Sequence, residues 1–227
     1  METYGTNVNK ETDRMARNKY PEVTVDKILE VAERLFLEKG YDNTTIQNIV
    51  DELGGLTKGA VYHHFKSKEE IMDALGSKMF SNNNPFEAVK KRTDLNGLQK
   101  MRMAIMLNQS DEKQVELSKQ AIPLLKNPHV LARMLETNRH ILCPHWLELI
   151  EEGLKDGSIH TEYAKELSEF LVLIDLWFIP SVFPGTLEDM QRRYLFISEI
   201  LDKMGLPLYD NEIADMIKSL PYFSKED

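Results

Sequence analysis

Apolar residues recur at intervals of three and four along most of the sequence, and this spacing predicts a chain made of helices. The first such stretch follows Thr24, and five of its apolar residues fall on one helical face: Ile28, Leu29, Ala32, Leu35 and Phe36. Gly40 is the kind of residue that ends a helix in the left-handed conformation. A helix with one buried face is therefore predicted from Thr24 to about Gly40.

Three shorter helices are predicted next, because three candidate N-caps each precede an apolar run: Thr44, Thr57 and Ser67. Gln47 and Glu70 complete capping-box patterns at the first and third of these positions. The pair Gly54-Gly55 breaks the helix that Thr44 opens, and the helix that Thr57 opens reaches about His64. Residues 24–80 are thus predicted to hold four helices with tight connections.

Beyond residue 80 the pattern predicts further helices, punctuated by prolines. Their approximate spans are 85–92, 95–108, 111–126, 128–156, 161–180, 186–204 and 210–219. Pro144 lies inside the longest span and is predicted to kink or split it, because proline removes a helical hydrogen bond. No stretch shows the alternation of a strand, so the predicted fold class is all-α.

Three parts are predicted along the chain. Residues 1–23 are polar and mixed in charge, which predicts a flexible arm. Residues 24–80 form an N-terminal helical domain, and the Asn- and Pro-containing stretch after it marks a boundary. Residues 81–227 form a C-terminal helical domain.

Composition narrows the class of protein. Of the 227 residues, 42% are hydrophobic and 29% charged, as in ordinary globular proteins. The single cysteine, Cys143, excludes an internal disulfide and fits a reducing cytoplasm. No apolar run approaches the ~18 residues of a membrane span, and residues 1–20 lack the apolar segment of a secretory signal. A cytoplasmic protein without a membrane partner is therefore expected.

The distribution of charge points to one local feature. The net charge of −9 excludes a protein that coats nucleic acid nonspecifically, so any contact with nucleic acid needs a local basic patch. The window from Thr57 to Lys68 contains three lysines and no acidic residue. A solvated face remains the alternative interpretation of these lysines.

Two short helices joined by a glycine-containing turn form the helix-turn-helix arrangement. Its second helix enters a major groove ~12 Å wide, so the exposed end needs small or hydrogen-bonding side chains. Lys58, Gly59 and Ala60 meet this need, whereas Val61 and Phe65 are predicted to face inward. The outer side is left to residues that can donate to phosphates or bases: Tyr62, His63 and His64. Lys68, at the start of the next helix, suits a phosphate.

Residues 24–71 resemble the DNA-binding domain of TetR-type (tetracycline-repressor-like) transcriptional regulators. The matching motifs are F-x-x-x-G-[YF] at Phe36–Tyr41, T-[TS]-[IV]-x-x-I at Thr44–Ile49, and small-[KR]-G-[AT]-[LV]-Y-x-[HY]-F-x-[SN]-K at Thr57–Lys68. The resemblance implies a three-helix helix-turn-helix domain followed by a helical ligand-binding and dimerisation domain. It implies these DNA-contacting residues: Thr45, Gln47, Lys58, Gly59, Ala60, Tyr62, His63, His64 and Lys68.

Within that set, the resemblance places Thr45 and Gln47 at phosphates and the three residues from Lys58 to Ala60 at base edges. The implied function is a ligand-responsive repressor that binds a palindromic double-stranded operator as a homodimer. The family's turn is one residue shorter than the turn around Gly54-Gly55. That extra residue favours the alternative function, a helical dimer that binds proteins and no longer reads DNA.

A dimer surface is predicted in the last two long helices. Residues Leu187, Met190, Tyr194, Ile197, Leu201 and Met204 recur at heptad-like spacing. The run from Phe170 to Ile179 is apolar on all sides and demands burial all round. The predicted dimer residues are Phe170, Ile174, Trp177, Met190, Tyr194, Ile197 and Leu201. A purely internal core is the alternative for these helices.

Asp175 lies inside that apolar run, where a carboxylate must be paired or neutral. An ion pair with Arg192 or Arg193 is the favoured interpretation, and contact with an effector is the alternative.

The C-terminal helices also contain candidates for an effector pocket: Met103, Met106, Met134, Trp146 and Trp177. Methionine adapts to irregular ligands, although it is also ordinary core filler. A pocket lined this way would take an apolar or aromatic small molecule. The group His140, Cys143 and His145 falls short of the four ligands of structural zinc, so no metal is predicted. No cofactor motif or catalytic constellation is present in the sequence, and the prediction is that the protein is not an enzyme.

Overall fold

The computed structural model describes residues 21–110 and 112–219, and within these ranges it contains helices and turns but no strand. The all-α prediction is confirmed. The predicted arm, residues 1–23, lies outside the described residues except for its last three, where the first helix begins. The chain forms two compact units, Met1–Leu75 and Gly76–Asp227. No helix in the described part of the chain is both long and apolar enough to cross a membrane.

The N-terminal unit contains three whole helices and the start of a fourth: α1 (Pro21–Lys39), α2 (Ile46–Glu52), α3 (Lys58–His64) and α4 (Lys68–Asn82). Helix α1 begins at Pro21 and not at Thr24, because proline is favoured in the first turn of a helix, where its missing N–H is not needed. It ends at Lys39, and Gly40 follows with a φ of +83° and an N–H that donates to the Phe36 carbonyl at 3.0 Å.

One apolar core joins these helices. Each helix contributes side chains that are almost wholly buried: Ile28, Leu35 and Phe36 from α1, Ile49 from α2, Val61 from α3, and Ile71 and Leu75 from α4. Each fully buried aliphatic or aromatic side chain stabilises the fold by about 1.5–3 kcal/mol relative to exposure. The predicted inward face of the first helix and the inward position of Val61 are therefore confirmed.

The C-terminal unit holds the remaining helices: α5 (Pro85–Lys90), α6 (Gly97–Ser110), α7 (Glu112–Ala121) with a 3-10 turn (Ile122–Lys126), α8 (Pro128–Asp156), α9 (Ala164–Trp177), α10 (Leu187–Lys203) and α11 (Asn211–Ser219). Pro144 does not split α8, which runs through it as one helix. Proline removes only one hydrogen bond, and the helix continues on both sides of it.

Helix α8 is the longest helix of this unit and packs against both α6 and α9. The crossing of α6 over α8 is close, since a Cβ added at Gly97 would lie 2.2 Å from the Gly153 nitrogen. The core cluster draws on five helices and the segment before α11: Phe86, Val89, Leu98, Met101, Leu149, Ile150, Leu167, Leu171, Ile174, Ile197, Leu201 and Leu206.

Candidate nucleic-acid interface

Helices α2 and α3 are both started by threonine side chains. The Thr45 hydroxyl accepts from the Asn48 N–H at 3.1 Å, and the Asn48 side chain accepts from the Thr45 N–H at 2.9 Å. The Thr57 hydroxyl accepts from the Ala60 N–H at 3.2 Å. Each cap satisfies backbone donors that a helix leaves free at its start. The predicted cap at Thr57 is confirmed.

The cap of α2 lies one residue later than predicted. Thr44 is fully buried, and its hydroxyl lies 2.9 Å from the Gly40 carbonyl and 3.2 Å from the Leu35 carbonyl. These hydrogen bonds hold the turn after α1 in place, and the N-cap of α2 is therefore Thr45. Thr44 and Thr45 are adjacent and either can cap a helix, so the sequence around them does not show which one is the N-cap of α2.

The turn between α2 and α3 has a conformation that requires glycine. Gly54 and Gly55 have φ values of +54° and +119°, and side chains are strongly disfavoured in the second of these conformations. Thr57 then starts α3 with its polar side outward.

The outward side of α3 carries the residues predicted to meet DNA. Lys58, Gly59, Tyr62 and His63 are exposed, and Ala60 and His64 are half-buried. The Lys58 ammonium lies 5.8 Å from the centre of the Tyr62 ring. The rings of His63 and His64 meet edge to face at 5.3 Å. Val61, on the opposite side, is fully buried and holds the helix to its own core.

Gly59 has open space around it. A Cβ at this position would meet only the Thr57 hydroxyl, at an ordinary distance of 3.8 Å, and the backbone there does not have positive φ. Nothing inside the chain therefore requires glycine at this exposed position. A molecule that approaches α3 from outside does gain from it, because the backbone can come closer by the width of a methyl group.

The acidic side chains near α2 form ion pairs or hydrogen bonds with neighbouring side chains. Arg34 contacts Glu52 at 2.9 Å and Glu38 at 3.3 Å. Gln47 donates to the Asp51 carboxylate at 2.8 Å. The exposed side of α3 itself carries no acid, so the lysine charge there is not offset within the helix.

Gln47 and Thr45 are both placed at the start of α2, yet both side chains already have partners in the free protein. The Thr45 hydroxyl caps the helix, and the Gln47 amide binds Asp51. Contact with a phosphate would have to replace or share these hydrogen bonds.

Lys68 is placed differently from its predicted role. Its ammonium donates to the Tyr41 carbonyl at 2.6 Å and to the Thr44 carbonyl at 2.9 Å, and lies 4.0 Å from the centre of the Tyr41 ring. Burial lowers the pKa of Lys68, and burial raises the pKa of Tyr41, with the Glu69 charge adding to the second effect. Lys68 therefore joins the start of α4 to the turn between α1 and α2.

The structure brings only part of the predicted effector pocket together. Met103, Trp146 and Trp177 pack against the core of the C-terminal unit, whereas Met106 and Met134 are half-buried outside that cluster. Trp146 meets the edge of Phe86 at 4.7 Å. His145 stacks on Phe86 at 4.8 Å, and burial lowers its pKa. No cluster of three or more metal-binding side chains occurs among the described residues.

The predicted dimer residues mostly point into their own chain. Four of them are buried in the core: Ile174, Met190, Ile197 and Leu201. Phe170, Trp177 and Tyr194 are half-buried. Arg193 bonds the Trp177, Phe183 and Pro184 carbonyls, and neither it nor Arg192 pairs with Asp175.

Sequence reasoning missed three exposed apolar residues on the same two helices. Leu173, Leu195 and Phe196 are 54%, 61% and 54% exposed. The Phe196 ring contacts Trp177 at 5.8 Å, and Trp177 lies one turn after Leu173. We call these four residues the outer apolar patch. The signal for it was the pair Leu195-Phe196, which interrupts the polar side of α10.

Residues 28–75 match the family described as "Bacterial regulatory proteins, tetR family". The chain is 25% identical over 191 residues to the HTH-type transcriptional repressor KstR2 of Rhodococcus jostii, covering 80% of this chain and 91% of that relative. It is 47% identical over 49 residues to the HTH-type transcriptional regulator TtgR of Pseudomonas putida, covering 22% of this chain and 23% of that protein.

Two solved structures share the fold at low sequence identity. Salmonella enterica GusR aligns with a TM-score of 0.56 at 20% identity, covering 85% of this chain and 97% of that one. A transcriptional regulator from Cytophaga hutchinsonii aligns with a TM-score of 0.55 at 16% identity, covering 81% and 97%. Both likenesses concern the architecture alone.

Proposed function

The chain belongs, through its N-terminal domain, to the tetR family of bacterial regulatory proteins, and we propose that it is a ligand-responsive repressor. In this proposal a homodimer binds a palindromic operator, and an effector in the C-terminal unit releases it. The name of the relative from Rhodococcus jostii, a transcriptional repressor, supports repression over activation. The observation that carries the proposal is the exposed, acid-free side of α3 with open space at Gly59.

Helix α3 is suited to the major groove at its N-terminal end. Gly59 lets the backbone approach the base edges, and Lys58 beside it can donate to guanine or to a phosphate. Thr57, also exposed, lies at the same end. Tyr62 and His63 are exposed one turn further along, where they would meet the flanking backbone.

Two copies are needed because one helix reads only a few base pairs, and paired helices must lie ~34 Å apart or a multiple of that. The outer apolar patch supplies a surface for the second copy. Exposed apolar side chains that lie together, as Phe196 does against Trp177, mark an interaction site more often than isolated ones do. This assignment moves the dimer surface from the buried side of α10, with Met190 and Ile197, to its outer side.

The decisive experiment replaces Gly59 by alanine. Alanine is the better helix former, so Gly59→Ala should keep or raise the stability of the N-terminal unit, by about 0.5–1 kcal/mol. The added methyl group should nevertheless weaken operator binding about tenfold or more, a loss of about 1.4 kcal/mol. The measurement is fluorescence anisotropy with a duplex that the protein selects from a random pool, beside thermal unfolding followed by circular dichroism.

Gly76→Ala is the matched control. Gly76 is exposed inside α4, and a Cβ there would meet nothing within 4 Å. This variant should gain stability as Gly59→Ala does and bind the duplex like the wild type. Equal DNA affinity of both variants and the wild type would refute the placement of α3 in the groove.

Lys58→Ala tests the reading role separately. The variant should lose discrimination between the selected duplex and a scrambled one, because a contact to a base edge carries sequence information. Equal losses on both duplexes would assign Lys58 to the phosphate backbone. If no duplex is bound at any salt concentration, the chain is a protein-binding dimer instead.

A further inference from the structure

Lys58 and Tyr62 form a pair on the exposed side of α3. They stand four residues apart, so their side chains are neighbours on one face of the helix. The Lys58 ammonium lies over the Tyr62 ring, 5.8 Å from its centre. A cation is attracted to the face of an aromatic ring within ~6 Å of the ring centre. The pair therefore has the geometry of a cation–π contact.

The helix itself favours this contact. Side chains in a helix lean toward its N-terminal end, so the Tyr62 ring leans over the turn that carries Lys58. Helix α3 contains no acidic residue, so no carboxylate of the same helix competes with the ring for the ammonium. Tyr62 is 43% exposed, and the covered part of the side chain holds the ring in place. The ring is thus a firm support for a flexible lysine.

Such a support favours DNA binding by the lysine. A lysine side chain loses much rotamer freedom when it is fixed at a binding site. A lysine that already rests on a ring has given up part of that freedom before the DNA arrives, so binding costs less. The ammonium has three N–H donors, and the ring faces only one side of it. The donors on the other side remain available for an acceptor in the groove.

The acceptor that suits this arrangement best is guanine. Lysine can only donate hydrogen bonds, and guanine presents two acceptors in the major groove, N7 and O6, whereas every other base presents one or none. Gly59, next to Lys58, has open space around it and leaves room for the base edge. A contact to a base edge carries sequence information, and a contact to a phosphate does not.

We propose that Tyr62 is a positioning residue for DNA reading, and that its ring holds the Lys58 ammonium toward N7 and O6 of a guanine in each half of the operator. This inference rests on the proposed function and names the base that the site selects. The face of the ring performs this role. A phosphate contact by the Tyr62 hydroxyl is a separate interaction, which adds affinity for any sequence.

Two substitutions separate the ring from the hydroxyl: Tyr62→Phe keeps the ring, and Tyr62→Leu removes it. Fluorescence anisotropy gives the affinity for the selected duplex and for a scrambled one, and the ratio of these affinities is the readout. Tyr62→Phe should keep the wild-type ratio, because loss of the hydroxyl affects both duplexes alike. Tyr62→Leu should lower the ratio by about two- to fivefold for each half-site, the range of an exposed cation–π contact.

Lys58→Ala shows whether Tyr62 acts through the lysine. In a protein that carries Lys58→Ala, the further change Tyr62→Leu should leave the ratio unchanged, because the ring then has no ammonium to hold. Modified duplexes test the base. In each of them 7-deazaguanine, which lacks the N7 acceptor, replaces one guanine in both half-sites. At one position this replacement should weaken binding of the wild type and leave binding of Lys58→Ala unaffected.

His63→Leu is the matched control. His63 is also exposed, but it is five residues from Lys58 and therefore does not share the position of Tyr62 one turn away. The variant should change the affinity for both duplexes by the same factor, with Lys58 present or replaced. Circular dichroism checks that each variant is folded.

The positioning role is overturned if Tyr62→Leu keeps the wild-type ratio, if Tyr62→Phe lowers it as much as Tyr62→Leu, or if Tyr62→Leu lowers it equally without Lys58. The choice of guanine is overturned if no duplex with 7-deazaguanine binds more weakly. In each of these cases the protein still prefers the selected duplex, so the proposed regulator stands. If no duplex is bound at all, the proposed function fails and this inference fails with it.

Discussion

Replacing Lys68 by methionine should destabilise the N-terminal unit by about 2 kcal/mol. Methionine keeps much of the apolar stem of lysine but has no ammonium. The change therefore removes the link between the start of α4 and the turn after α1, while packing along the stem is largely preserved.

The magnitude follows from the contacts of the ammonium. It donates to the Tyr41 carbonyl at 2.6 Å and to the Thr44 carbonyl at 2.9 Å, and lies 4.0 Å from the centre of the Tyr41 ring. A hydrogen bond from a charged group contributes about 1.5–3 kcal/mol, and a cation over a ring about 0.5–1 kcal/mol. Burial lowers the pKa of Lys68, so removing the charge from water offsets part of this gain and leaves about 2 kcal/mol.

Thermal unfolding provides the assay, because the two tryptophans of the chain, Trp146 and Trp177, both lie in the C-terminal unit. Circular dichroism follows both units, and tryptophan fluorescence follows the C-terminal one. In a unit of this size a loss of about 2 kcal/mol lowers the midpoint by roughly 10 °C. The circular dichroism transition should shift, and the fluorescence transition should stay in place.

Lys66→Met is the control, because Lys66 is an exposed lysine two residues away. It should leave both transitions unchanged. At a temperature where both variants are folded, Lys68→Met should keep the wild-type dependence of DNA affinity on salt. An unchanged midpoint, together with a salt slope reduced by about 0.9, would refute the structural role and make Lys68 a phosphate contact.

Three further predictions concern the C-terminal unit. Phe196→Glu should convert the proposed dimer to a monomer in analytical ultracentrifugation while the fold is kept, because the side chain is 54% exposed. A dimer that persists in this variant would place the interface elsewhere. Gly97→Ala should lower the free energy of unfolding by about 1–3 kcal/mol, since its Cβ would lie 2.2 Å from the Gly153 nitrogen. An unchanged midpoint of urea unfolding would contradict the close crossing of α6 and α8. Asp175→Asn should stabilise the protein at pH 8 but not at pH 4. The folded-state pKa of Asp175 is raised to about 7, so the wild type loses stability as pH rises from about 4 to 7. If the Tm difference between the variant and the wild type does not grow over this window, the desolvation of Asp175 is refuted.

Local sequence signals predicted the helices well. The span 128–156 coincides with α8, because Asn127 caps its start and Gly157, with φ of +79°, ends it. The inward Val61 and the cap at Thr57 were predicted equally well, since both depend on neighbours within four residues. The exposed side of α3 could be read from the same periodicity, and most of the candidate interface was predicted from it.

Local sequence signals could not predict hydrogen bonds between residues that are distant in the sequence. Lys68 stands in a pattern typical of a phosphate contact, but its ammonium binds carbonyls 24 and 27 residues earlier. Thr44 and Thr45 are equivalent as candidate caps until the turn after α1 takes one of them into the core.

The sequence alone determined which segments are helical and which residues share a face, because helical periodicity and capping act within one or two turns. Only the tertiary structure decided what covers each apolar face. The heptad-like spacing of α10 defines a stripe with Met190 and Ile197, yet spacing does not say whether the chain's own core or a second copy covers it. Packing within the C-terminal unit turned that stripe inward and left Leu195 and Phe196 outside.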